Sequence, residues 1–291
     1  MKIRIYYSVA IFIIVSSFIL YLKKDNTNFE QRAENSQLKI YLNTEFSTYI
    51  YGQSIWVKVI LINRSASSFF LKEDFDFIGI NFEILNPNNT KVSNSMKYHV
   101  LHTDSIKINP NDSIEVVFPI DSYINSKNNI EGMYQVRAIF QNIPSNIVNF
   151  KMIPPVGDYE AQYILFNKLT STQFNISMSQ DEVLRNYSNY LISYPTGPFS
   201  PDFFDFSLIG HIRYGEKNKI EGIVSDFFDY NYNSYTTKFI VENYYNFLIK
   251  YEGYSNSDAL EKIKKLSINN AGSESAKIIN NFVKNTSLSK E

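Results

Sequence analysis

Ile55-Trp56-Val57-Lys58-Val59-Ile60-Leu61-Ile62 is the stretch on which the fold reading turns. The run is mostly β-branched and apolar, too short for a typical amphipathic helix, and is closed by Asn63-Arg64-Ser65, so it reads as a buried strand. Upstream, Tyr51-Gly52-Gln53 supplies a turn, and before it Leu38-Lys39-Ile40-Tyr41-Leu42 alternates as a half-buried strand does. Downstream, further strands fit 77–85, 97–101, 113–120, 133–140 and 147–152. Turn chemistry at Asn86-Pro87-Asn88-Asn89, Asn109-Pro110-Asn111-Asp112 and Glu131-Gly132 separates them.

About seven short strands without an intervening helical pattern predict a Greek-key β-sandwich of immunoglobulin type over 38–153. Tyr51-Gly52-Gln53-Ser54 leading into a Val/Ile strand that ends in Asn63 resembles the opening of many bacterial immunoglobulin-like domains. Asn109-Pro110-Asn111-Asp112-Ser113 and Gly132-Met133-Tyr134-Gln135-Val136-Arg137-Ala138 resemble a later turn and the closing strand of the same domains. Asn111 stands where they usually have glycine. The order of elements is similar to that of the bacterial intracellular proteinase inhibitor family. This resemblance implies a fold and, as an alternative function, an inhibitor-like module with a rigid loop at 65–74 or 122–129.

Pro154-Pro155 ends the β region, and helical periodicity follows over 156–285. Predicted helices cover 158–169, 180–193, 201–214, 217–230, 235–252, 258–268 and 274–283, with Ser179, Ser200, Ser234, Ser257 and Ser273 as caps. Short loops between them predict antiparallel helix pairs. Ser200 and Ser234, 34 positions apart, follow similar Tyr-rich turns. That turn resembles the one joining helices in tetratricopeptide-like repeats of bacterial envelope proteins, a compact bundle being the alternative. The fold class expected is therefore all-β followed by all-α.

Ahead of both lies an apolar run from Ile5 to Leu22, after Lys2 and Arg4 and before Lys23-Lys24-Asp25. Its 18 residues approach the ~20 needed to span a bilayer. It predicts a signal anchor at 1–24, with Ile5, Ala10, Ile14, Phe18 and Leu22 along the spanning segment. A cleaved signal peptide is the alternative. Residues 25–37 read as a polar linker and 286–291 as a flexible tail. The expected location of the folded regions is outside the cytoplasm, periplasmic or extracellular, membrane-anchored if the segment is retained and secreted if it is cleaved.

The 291-residue chain carries net charge -1, no cysteine and ten glycines. This excludes a disulfide framework, a cysteine–zinc site and a thiol nucleophile, and it gives no general attraction for nucleic acid. No glycine-rich phosphate loop occurs. His99 and His102 lie three apart on an expected strand, on opposite faces and poorly placed for one metal. Asp74 and Asp76 read as a solvated strand edge, and Asp226 and Asp229 as an exposed helix face. His211, with Ser207 four residues before it, reads as a packed histidine rather than half of a triad. No cofactor and no metal is expected.

The function expected from the sequence is a membrane-anchored, non-enzymatic interaction or scaffold protein of the cell envelope. A protein or peptide partner would sit on the aromatic-rich helices 201–214 and 235–252, on Phe203, Phe204, Tyr214, Tyr235, Tyr244 and Tyr245. An enzyme with its site in the helical region, using His211 as base, is a further alternative.

Overall fold

A computed structural model describes residues 37–71, 80–92, 106–120, 124, 130–171, 178–231, 233–268 and 271–288. The opening run forms strand β3 (Trp56–Asn63), flanked on both sides by antiparallel partners, β1 (Leu38–Thr44) and β8 (Ser113–Pro119). A second sheet runs β2 (Thr48–Ile50), β11 (Val148–Ile153), β9 (Gly132–Phe140), β5 (Ile80–Leu85), β6 (Lys91–Val92), with β10 (Ile143–Pro144) also on β9. β4 (Phe69–Leu71) and β7 (Ile106–Ile108) make a small third sheet. Val57, Val59 and Leu61 of β3 point into a core shared with Ile84, Tyr134 and Phe150. There the Tyr134 and Phe150 rings stack at 5.5 Å.

Seven α-helices follow among the described residues: α1 (Asp158–Thr170), α2 (Gln180–Ser193), α3 (Ser200–Arg213), α4 (Ile220–Tyr230), α5 (Thr237–Lys250), α6 (Asn256–Leu266) and α7 (Glu274–Leu288). Ser179 caps α2 by accepting from the Glu182 N–H, and Ser273 accepts from the Ala276 N–H at the start of α7. Three other expected caps are corrected. Ser200 donates its hydroxyl to the Gly197 carbonyl, and α3 starts without a side-chain cap. Ser234 lies before the start of α5, which likewise has no side-chain cap. Ser255, not Ser257, caps α6.

The expected class, an immunoglobulin-type sandwich followed by tetratricopeptide-like pairs, is corrected to a mixed α/β arrangement of small sheets and seven helices. Three observations overturn it. The second sheet ends in a parallel pair, β2 on β11, that a simple antiparallel sandwich lacks. The outer face of β3 is covered by helices: Trp56 meets Phe239 at 4.9 Å between ring centroids, and Lys58 is buried against Glu274. Burial on both faces also explains why β3 reads as a continuous apolar run. The helices, finally, do not stack as like units: α1, α2 and the start of α3 join Ile50 and Ile153 in one cluster, while α3–α7 enclose a second.

Among the described residues no helix is long and apolar enough to cross a membrane. The membrane and immunoglobulin-like descriptors therefore find no support in the structure. The expected anchor, with Ile5, Ala10, Ile14, Phe18 and Leu22, and all of the linker but Gln37 lie outside the described residues.

Gly132 opens β9 at φ 136°, and a Cβ there would sit 2.8 Å from Pro87 Cβ in the facing turn. Gly132→Ala is expected to lower stability by about 1–3 kcal/mol, read as a drop in melting temperature with an unchanged circular dichroism spectrum. A melting temperature equal to wild type would show that the turn relaxes freely.

Candidate functional site

Where the edge of the second sheet meets the helices, a cleft of about 520 Å³ opens. One wall is the segment from Glu45 to Gln53, and the other is built from the 196–201 turn with Tyr230, Asn231, Asn233 and Ser234. Asn231 braces the helical wall: it accepts from the Ser200 hydroxyl at 3.2 Å and donates to the Pro195 carbonyl at 3.4 Å.

β2 forms one edge of its sheet and gives the cleft a backbone edge. In its parallel pairing, the Lys151 N–H reaches the Ser47 carbonyl and the Tyr51 N–H reaches the Ile153 carbonyl. Ser47, Tyr49 and Tyr51 therefore face β11, and Thr48 and Ile50 direct their N–H and C=O groups the other way. Gln53 occupies those of Ile50, accepting from its N–H through Oε1 at 3.1 Å and donating its own N–H to the carbonyl at 3.0 Å. Thr48, exposed and in the cleft lining, carries its N–H and C=O on the side of β2 away from β11. Phe46, Tyr159 and Tyr230 line the same space and stay 43%, 44% and 47% exposed as residues.

Glu45 is the carboxylic acid among the described residues of the cleft lining. Its Oε1 accepts from the Tyr235 N–H at 3.2 Å, and the Ser234 hydroxyl bonds the same carboxyl. The residue as a whole is only partly buried, but the carboxyl is enclosed. Burial pushes it up to about 8, with Asp202 and Glu274 raising it further against the two hydrogen bonds. At neutral pH it is a protonated acid set in the wall.

The residues expected to anchor a partner are not brought together. Phe203, Phe204, Tyr235 and Tyr244 are buried, spread over three clusters, so their rings hold the fold and are closed to a partner. Tyr245 is half-buried with its hydroxyl on Asn256, and Tyr214 stands exposed beyond α3. Asp226 and Asp229 are exposed on α4, where burial and then Asp229 raise the Asp226 carboxyl. Asp74, Asp76, His99 and His102 lie outside the described residues, as do 72–74 of the first loop and all of 122–129 but Ile124. Among the described residues no group of side chains is arranged to hold a metal ion.

His211 is 4% exposed, lies away from the cleft lining, and has no hydrogen-bond partner on either ring nitrogen among the described residues. That removes its assignment as a catalytic base. Burial, and then Lys219, hold its pKa below the ordinary histidine range, with Glu216 opposing. The folded state thus favours the neutral ring, and its contribution is present above the unfolded pKa and lost as pH falls from there through the lower folded one. His211→Leu is expected to flatten the loss of melting temperature between pH 7 and pH 5. An unchanged acid slope would contradict the neutral, buried assignment.

No family model matches the chain, and no curated protein is significantly similar to it. Among solved structures, an alkylpurine DNA glycosylase of Pseudomonas fluorescens bound to DNA is similar over 41% of this chain and 31% of that one, at 8% identity and TM-score 0.29. A beta-glucosidase of Listeria innocua is similar over 40% of this chain and 16% of that one, at 13% identity and TM-score 0.26. The chain spans less than a third of either protein's length, and likenesses of this size carry no argument about activity.

Proposed function

We propose that the protein is a non-enzymatic interaction module that takes an extended segment of a partner protein into the cleft beside β2. The observation that carries this reading is the outward-facing backbone of Thr48, an unclosed sheet edge opening onto half-exposed aromatic rings. An added strand would exchange hydrogen bonds with the Thr48 N–H and C=O, and its side chains would reach Phe46, Tyr159 and Tyr230. Two backbone bonds alone give weak binding, so affinity would come mainly from side chains held against those rings. The export reading of the N-terminal segment would put this partner outside the cytoplasm.

Thr48→Pro tests the edge, because it deletes an N–H that the β11 ladder does not use. Capped random hexapeptide pools, titrated into the full chain, are expected to bind wild type and to lose about tenfold in affinity to the variant, with little change in melting temperature. Equal binding by the two proteins would defeat the reading.

A further inference from the structure

We propose that the partner segment presents a basic side chain, lysine or arginine, to Glu45, which makes the cleft a site for a cationic peptide. The inference rests on the peptide reading above and names its chemistry.

The first argument is charge. Glu45 is the one carboxylic acid among the described residues that line the cleft, and no lysine, arginine or histidine accompanies it there. Asp202 from α3 and Glu274 from α7 add to the negative field at its carboxyl. Lys58 of β3 lies over the Tyr235 ring at 5.5 Å but is held by Glu274 and by Glu115 at 3.8 Å. An incoming cation therefore meets an acid without a basic partner among the cleft-lining residues, and an incoming anion meets that acid with Asp202 behind it.

The second argument is the rings. Phe46, Tyr159 and Tyr230 line the cleft, and aromatic faces attract an ammonium or guanidinium group while accepting its alkyl stem. An aromatic wall with a single acid selects a long side chain ending in positive charge over an apolar one of the same length. Pairing ionises Glu45, so uptake of the cation releases its proton to solvent. The other titratable groups about the carboxyl are Asp202, Glu274, Tyr235 and Tyr49, the last from β2. Both tyrosine hydroxyls are held protonated by burial and do not share in that exchange.

The test uses the full chain and capped hexapeptide pools with lysine, norleucine or glutamate fixed at one central position, titrated at pH 7. The lysine pool is expected to bind about tenfold more tightly than the norleucine pool, with the glutamate pool weakest. In Glu45→Gln, checked by its melting curve, the lysine preference should fall to about twofold or less while norleucine binding holds. Tyr230→Leu, which keeps an apolar wall but removes a ring face, should cut the preference by about threefold. Equal binding of lysine and norleucine pools by wild type, or a preference that survives in Glu45→Gln, overturns the inference and leaves the peptide reading standing. Failure of every pool to bind overturns both.

Discussion

Lys58→Met is expected to lower stability by about 3 kcal/mol, a fall in melting temperature of roughly 6–12 °C for a chain of this size. Lys58 lies on the β3 face that the helices cover, with its ammonium on Glu274 at the start of α7 and Glu115 at 3.8 Å. Burial alone would raise the Glu274 carboxyl, yet Lys58 and then Lys277 hold it below the usual carboxylate range. Methionine keeps the stem's volume and removes the charge, leaving a mostly buried carboxylate that only Lys277, at 3.3 Å, still meets. The loss should be smaller when Glu274→Gln is added, because the uncompensated charge goes with it. A single variant as stable as wild type would mean that helices and sheet are not held together at this joint.

Glu45→Gln should act through pH. A group whose folded pKa is raised contributes stability that is complete below its unfolded pKa and is lost as pH climbs through the folded one. For Glu45 that window runs from 4.5 to about 8. The wild-type protein is expected to lose on the order of 4 kcal/mol across it from this group. Glutamine, like the protonated acid, offers one acceptor oxygen and a donor, so it can keep the Tyr235 N–H bond. Urea unfolding at pH 5 and pH 8 should therefore show the variant similar to wild type at the lower pH and clearly more stable at the higher. Parallel pH profiles for the two proteins would contradict an enclosed, protonated Glu45.

The local elements were legible where patterning is long. The Ile55–Ile62 run is the centre of the first sheet, and Gly132 to Ala138 lies within β9. Asn111, read as a stand-in for glycine, takes φ 60°. What misled was taking the apolar run as the core of a free-standing sandwich. Lys58, one charge in an otherwise apolar strand, was the available signal that its other face is also covered, since a buried lysine needs an acid. The aromatic helices misled in the same way: Phe203 packs at 4.2 Å from Tyr190, in a cluster with Ile50 of β2. The cleft itself was not legible. Thr48-Tyr49-Ile50 is too short to show alternation and is a strand only because β11 pairs with it. The Glu45–Tyr235 bond joins residues 190 positions apart, beyond the reach of any local pattern.

The measurement that bears most directly on the binding claim is amide hydrogen exchange at Thr48 in the full chain, with and without a saturating lysine-centred hexapeptide. An added strand closes the Thr48 N–H into a ladder, so its exchange should slow by about tenfold or more. The Tyr49 amide, already facing β11, should change little. Peptide binding that leaves Thr48 exchange untouched, and protects amides around Tyr214 instead, would contradict the account.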